Sequence, residues 1–194
     1  MAFTNLEKKE IHCKILYAGL PGSGKTENLL ALTKQFSQKL SSGESILSKD
    51  KESEGFVEFL PISMGSFKNF HIRLHLYTIS LEIPFKTVYH NLLNSIDGLV
   101  FVVDSEETRL IENFDYLEKL IRFLKSYQID FAALPVVFQY NKRDLLSKGA
   151  LGIYKKHFNR FGKQETEASA HNAQGTIETL MAITESVTAQ INIP

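Results

Sequence analysis

The 194-residue chain has no tryptophan, a single cysteine and no net charge. One cysteine, Cys13, cannot form a disulfide within the chain, which favours a cytoplasmic protein. The 22 basic and 22 acidic residues balance, so no overall field attracts nucleic acid, and we expect no nucleic-acid partner. No apolar run reaches the roughly 18 residues that a membrane-spanning helix needs.

Neither end of the sequence carries a signal for membrane attachment. The start lacks the hydrophobic stretch of a signal peptide and a glycine for myristoylation, and the end lacks a cysteine for prenylation. We therefore expect no direct membrane anchor. The length suits one domain over residues 1–194, and we expect a monomer.

Apolar periodicity predicts an alternation of strands and helices. The predicted strands span residues 12–19, 56–62, 71–79, 98–104, 135–141 and 166–170. The predicted helices span residues 25–40, 106–127, 149–159 and 175–191. Asp104 and Ser105 are the expected N-caps of the second helix. This alternation predicts a three-layer α/β fold, in which a mostly parallel sheet of six or seven strands is flanked by helices.

The segment Gly-Leu-Pro-Gly-Ser-Gly-Lys-Thr, residues 19–26, fits the phosphate-loop pattern G-x-x-x-x-G-K-[ST]. It follows a predicted buried strand and opens a predicted helix, so its backbone N–H groups and the helix N-terminus can cradle an anion. Lys25 would reach the β- and γ-phosphates and Thr26 would ligate Mg²⁺. The alternative is a glycine turn that binds nothing. The candidate nucleotide-binding residues here are Gly19, Pro21, Gly22, Ser23, Gly24, Lys25 and Thr26.

A second candidate loop, Asn141-Lys142-Arg143-Asp144, follows another predicted buried strand. The Asp144 carboxylate can accept hydrogen bonds from guanine N1–H and the exocyclic amine, the Lys142 stem can lie across the base, and Asn141 can tie the two loops together. Alone, such a loop is also an ordinary polar turn. Its place after a phosphate loop, at the carboxyl end of a strand, favours ligand binding.

A third candidate segment, Ser169-Ala170-His171, lies at the end of the last predicted strand. In this arrangement the backbone N–H of Ala170 would meet the guanine oxygen, and Ser169 is the other candidate nucleotide-binding residue. By itself the tripeptide is a weak signal.

The order GLPGSGKT, NKRD and SAH resembles that of the Ras-like small GTPases, whose P-loop NTPase fold is then expected. The closer resemblance is to the MglA group, bacterial GTPases of cell polarity and gliding motility. The segments KEIHCKILYAG, FVEFLP, RLHLYT, IDGLVFVVDS and VVFQYNKRDL carry it. Thr78, in RLHLYT, stands where other Ras-like proteins have a metal-linked aspartate. The resemblance implies GTP or GDP and Mg²⁺ as ligands, RomR-like or MglB-like regulators as partners, and a cytoplasmic protein recruited to a cell pole by those partners.

The chain departs from this family in both switch regions. After HLYT the family continues with Pro-Gly-Gln, in which the glycine meets the γ-phosphate and the glutamine orients the attacking water. Here Leu81 and Glu82 stand in the glycine and glutamine places. An ungapped count puts Ser53 and Glu54 where the family has an arginine finger and a metal-ligating threonine. We therefore assign no catalytic residue, and the sequence leaves open whether Glu54 ligates the metal.

Three functions compete on these observations. The first is a guanine-nucleotide switch with weak or absent GTP hydrolysis, which acts on protein partners. The second is a pseudo-GTPase scaffold that holds GDP or GTP as a structural ligand and binds partners constitutively. The third is a nucleotide kinase that shares the phosphate loop, against which the NKRD loop and the lack of an arginine-rich lid argue.

Overall fold

The computed structural model describes residues 3–36, 58–79, 92–93, 95–145 and 150–191. The strands are β1 (Phe3–Asn5), β2 (Glu10–Ala18), β3 (Phe59–Phe67), β4 (Phe70–Thr78), β5 (Gly98–Asp104), β6 (Val136–Asn141) and β7 (Gln164–Glu167). The helices with defined bounds are α1 (Lys25–Phe36), α2 (Leu110–Ser126), α3 (Ala150–Phe158) and α4 (Thr176–Thr188). No helix in these ranges is long and apolar enough to cross a membrane.

The described strands form one mostly parallel sheet in the order β3-β4-β2-β5-β6-β7. From β4 to β7 each neighbouring pair is parallel. β3 pairs antiparallel with β4 as a hairpin, and β1 pairs antiparallel with the first residues of β2. The sheet of six or seven strands predicted from the sequence is confirmed, with seven in the described residues.

Hydrophobic residues pack on both faces of the sheet, which makes the fold three-layered. On one face α2 and α3 contribute Leu117 and Tyr154 to the core. On the other face α1 and α4 contribute Leu29 and Ile183. All residues of β5 and β6 are buried, because helices cover these strands from both sides. The predicted α/β architecture is therefore confirmed.

Several predicted boundaries are wrong. β1 was not predicted, and β3 continues five residues past the predicted end at residue 62, to Phe67. Neither Asp104 nor Ser105 caps α2, because a 3₁₀ turn, Glu107–Arg109, lies before this helix and its N-cap residue is Arg109. Propensity and local pattern do not determine these edges, since strand pairing and turn geometry decide them.

The parallel strands bring their carboxyl ends to one edge of the sheet. This edge holds the loop after β2, Thr78 at the end of β4, Asp104 at the end of β5 and Asn141 at the end of β6. Ligands bind at this edge in open α/β sheets. The candidate site described below lies there.

A buried amide pair orients α1, the helix that follows the phosphate loop. Gln139 on β6 and Asn28 on α1 are both fully buried. Gln139 Nε2 donates to Asn28 Oδ1 at 2.8 Å, and Asn28 Nδ2 donates back to Gln139 Oε1 at 2.9 Å. Asn28 Nδ2 also donates to the Gly24 carbonyl, and Gln139 Nε2 to Thr179 Oγ1 on α4. The pair thus joins the phosphate loop to the sheet and to α4.

We expect Gln139→Ala to lower the free energy of unfolding by about 3 kcal/mol. The substitution leaves buried amide groups of Asn28 without their partner and opens a cavity. Urea unfolding of the nucleotide-free protein measures this change. Gln174→Ala, at an exposed glutamine, is the matched control, and equal stability of the two variants would contradict the prediction.

Candidate nucleotide-binding site

The phosphate loop, Gly19–Thr26, connects β2 to α1 and depends on glycine at two close approaches. A Cβ on Gly24, whose φ is +96°, would lie 2.2 Å from Asn141 Nδ2. A Cβ on Gly19 would lie 2.3 Å from the Val102 carbonyl oxygen on β5. Because real Cβ atoms do not approach this closely, both positions require glycine, and the loop is held tightly against β5 and β6.

Lys25 lies across the inside of this loop. Its ammonium donates to the carbonyl oxygens of Gly19 at 2.8 Å and Leu20 at 2.9 Å. Pro21 and Gly22 are exposed at the tip of the loop, whereas the Ser23 side chain is fully buried. A ligand at the exposed face would therefore meet the backbone of Ser23 rather than its hydroxyl group.

Asn141 joins the three predicted segments. Its Nδ2 donates to the Ser23 carbonyl of the phosphate loop at 2.7 Å. Its Oδ1 accepts from the backbone N–H of Ala170 at 2.9 Å. The tie to the phosphate loop is the one expected from the sequence. The Ala170 N–H was expected to donate to a guanine oxygen. Here it donates to Asn141, so a bound base would have to share this donor.

Asp144 is exposed and is oriented by Ser169. The Ser169 hydroxyl donates to Asp144 Oδ1 at 2.5 Å and accepts from Asn172 Nδ2 at 2.9 Å. The carboxylate thus has a defined direction and remains accessible from solvent. This is the arrangement that a hydrogen-bonding base reader needs, since a preorganised acceptor loses less entropy on binding.

Lys142 has an unusual backbone and two acidic partners. Its φ of 63° lies in the left-handed region, which is uncommon for a residue with a side chain. Its ammonium donates to Asp104 Oδ2 at 2.8 Å and Glu106 Oε1 at 2.6 Å. Burial lowers the pKa of Lys142, but these two hydrogen bonds outweigh it and raise the pKa above its ordinary value. The bond from Lys142 also lowers the pKa of the Glu106 carboxyl.

The structure adds Glu58, to which the sequence analysis assigned no role. Glu58 lies just before β3 and is only 6% exposed. The Thr26 hydroxyl donates to its Oε1 at 2.9 Å, and the Thr78 hydroxyl donates to its Oε2 at 3.1 Å. A carboxylate therefore lies directly beside the predicted Mg²⁺ ligand, Thr26, and beside the threonine that replaces the usual aspartate.

Strand register brings Glu58 to this place. The β3–β4 hairpin pairs Phe59 with Tyr77, so the preceding residue, Glu58, faces Thr78, whose N–H donates to the Glu58 carbonyl at 3.1 Å. In the sequence, the signal was an acidic residue at the start of an otherwise apolar strand. That signal does not show its partner, because hairpin register is a tertiary property.

The degenerate switch positions Ser53, Glu54, Leu81 and Glu82 lie outside the described residues. What we infer about these four residues therefore rests on the sequence alone. Within the described ranges, no group of three or more histidine, cysteine and acidic side chains forms a metal cluster.

The fold and the three joined loops define the class of protein. A phosphate loop between β2 and α1, beside an Asn-Lys-Arg-Asp loop after β6, at the carboxyl edge of a mostly parallel sheet, makes this a Ras-like P-loop domain. No family model matches the chain. The mutual gliding-motility protein MglA of Myxococcus xanthus (strain DK1622) is 33% identical over 191 residues, which cover 98% of each chain. At this identity and coverage, the chain belongs to the MglA family.

Proposed function

We propose that this chain is a guanine-nucleotide-binding switch that acts in gliding motility and cell polarity through protein partners. The observation that carries the proposal is the junction at Asn141, whose side chain joins the phosphate loop, at Ser23, to the segment of Ala170. A ligand held by this junction would carry phosphates at one end and a base at the other. The MglA relative supports the motility role.

The residues at the site fit a nucleotide with Mg²⁺. The exposed loop tip and the Lys25 ammonium suit phosphates, and the Thr26 hydroxyl and Glu58 carboxylate supply the oxygen ligands that Mg²⁺ prefers. When bound, the metal would supply positive charge next to the phosphate oxygens. Thr26 and Glu58 are the residues that would hold it, either directly or through water.

Calorimetric titration of the nucleotide-free protein with GDP, GTP, a non-hydrolysable GTP analogue and ATP tests the proposal. We expect tight binding of the guanine nucleotides and much weaker binding of ATP, because adenine cannot offer two donors to Asp144. A difference between GTP and GDP supports a switch. Equal binding would favour the pseudo-GTPase scaffold, and the absence of guanine binding would overturn both functions.

GTP hydrolysis is proposed to be slow or absent. The support is the sequence at Ser53, Glu54, Leu81 and Glu82, where the family's catalytic and metal-binding residues are replaced. Leucine adopts the backbone of a switch glycine only at a cost, and glutamate brings negative charge towards an anionic phosphate. The regulators that the resemblance implies, RomR-like and MglB-like proteins, are the proposed partners and the proposed route to a cell pole.

We expect Glu58→Gln to weaken Mg²⁺ binding about 10- to 100-fold, the range typical when a residue supporting a metal site is replaced. Glutamine preserves the shape and one acceptor for the Thr26 hydroxyl but removes the charge. The measurement is the rate of release of a fluorescent GDP analogue as a function of Mg²⁺ concentration. Glu178→Gln, at an exposed glutamate on α4, is the control. An unchanged Mg²⁺ midpoint in Glu58→Gln would exclude a role for this carboxylate at the metal.

A further inference from the structure

Arg109 contacts the tip of the phosphate loop. It is the last residue of the 3₁₀ turn between β5 and α2. Its Nη2 donates to the carbonyl oxygen of Pro21 at 3.2 Å. Its Nη1 pairs with the Glu112 carboxylate at 3.1 Å, and its Nε lies 3.9 Å from Asp104 Oδ2. The guanidinium therefore connects two acidic groups to one backbone carbonyl of the loop.

Asp104 links this arginine to the base-reading loop. Its side chain is 2% exposed and lies between two cations, Lys142 at 2.8 Å and Arg109 at 3.9 Å. Charges buried in this way interact more strongly than charges in water. The two carboxylates beside Arg109, from Asp104 and Glu112, hold the guanidinium in the direction of Pro21.

The Pro21 carbonyl shares a peptide unit with the Gly22 N–H. In a trans peptide the C=O and N–H groups point in opposite directions, and the described residues include no cis peptide. A donor that holds the Pro21 oxygen therefore turns the Gly22 N–H away from Arg109. Pro21 itself has no N–H, so Gly22 is the first donor available at this tip.

The turn around this peptide is closed by the Ser23 N–H, which donates to the Leu20 carbonyl at 3.0 Å, and this bond forms with either orientation of the central peptide. Gly22 has a φ of +76°, and a Cβ built on it meets no atom within 4 Å. Glycine populates positive and negative φ almost equally, so the peptide between Pro21 and Gly22 can rotate at little cost. The hydrogen bond from Arg109 to the Pro21 oxygen opposes this rotation.

We propose that Arg109 is a positioning residue that locks the Pro21–Gly22 peptide, so that the Gly22 N–H faces the bound phosphates and nucleotide release is slowed. The proposal rests on the function proposed above. Lys142 in the base loop and Arg109 at the phosphate loop share Asp104, so both ends of the nucleotide are held through one buried carboxylate.

The test is the release rate of a fluorescent GDP analogue into excess unlabelled GDP. We expect Arg109→Ala to release the analogue about 10-fold faster than the wild type, because one charge-assisted hydrogen bond is lost. Arg109→Lys should restore part of the slow release, since lysine can donate to the Pro21 carbonyl but cannot also pair with Glu112. Arg122→Ala, at an exposed arginine on α2, should release at the wild-type rate.

A merely structural role would give a different result. In that case Arg109→Ala would unfold at lower urea concentration than Arg122→Ala when nucleotide-free, and lysine would not restore slow release. Wild-type release by Arg109→Ala would overturn the proposal while leaving the nucleotide function intact. If Arg109→Ala does not fold, Arg109→Met replaces it, since methionine keeps an apolar stem and has no donor, and release by Arg109→Met at the Arg122→Ala rate would overturn the proposal. Failure of the wild type to take up the analogue would overturn the proposed function and this inference with it.

Discussion

Restoring the four family residues of the switches is expected to raise single-turnover GTP hydrolysis by about 10³-fold, the lower end of the contribution of an arginine finger. The variant combines Ser53→Arg and Glu54→Thr with Leu81→Gly and Glu82→Gln. The arginine would neutralise charge that develops on the phosphates, and the threonine would add a metal ligand. The glycine would bring its N–H to the γ-phosphate, and the glutamine would orient the attacking water.

Two separate variants, one with the substitutions at residues 53 and 54 and one with those at residues 81 and 82, measure what each pair contributes to GTP hydrolysis. Each pair of substitutions alone should raise turnover less than the four together, because charge neutralisation and water positioning act on the same transition state. Lys25→Ala in the fourfold variant should abolish the gain and thus show that the activity belongs to this phosphate loop. If the fourfold variant hydrolyses GTP no faster than the wild type, the replaced switch residues do not account for the proposed slow turnover.

Asp144→Ala is expected to lower GDP affinity on the order of 10³-fold. Two hydrogen bonds between a carboxylate and guanine are lost, each contributing roughly 1.5–3 kcal/mol. The Ser169 hydroxyl, which donates to Asp144 at 2.5 Å, loses its acceptor at the same time. The affinity for ADP should change much less than the affinity for GDP. The preference for guanine over adenine should therefore fall.

Calorimetry with GDP and ADP measures this preference directly. Asp115→Ala, at an exposed aspartate on α2, is the matched control and should bind GDP as the wild type does. A loss of affinity for GDP and ADP by equal factors would contradict a base-reading role. It would indicate instead that Asp144 maintains the fold of its loop.

Much of the fold could be predicted from the sequence where the chain is buried on both faces. The strand predicted at 98–104 has those bounds as β5, and the strand predicted at 135–141 differs from β6 by one residue. Continuous apolar runs identify such strands because helices cover both sides. The short edge strand β1 has no such run, since its three residues are partly exposed and depend on pairing with β2.

The candidate site likewise has features that could be predicted from the sequence and features that could not. The phosphate loop and the NKRD loop could be predicted as candidates because their chemistry is local, with glycines and polar residues at fixed spacing beside a strand. Glu58 and Arg109 were not identified, since each acts on a partner far along the chain. Thr26 and Glu58 are 32 residues apart, and Arg109 and Pro21 are 88 residues apart.

The sequence by itself thus predicted the candidate phosphate-binding loop, the candidate base-reading loop and the residues that stand in the family's switch positions. These are matters of residue type and backbone freedom within a few positions. Only the tertiary structure placed a carboxylate beside Thr26 and an arginine on the Pro21 carbonyl. The β3–β4 register positions the first and the connection from β5 into α2 positions the second, and both depend on contacts between distant segments that no local pattern encodes.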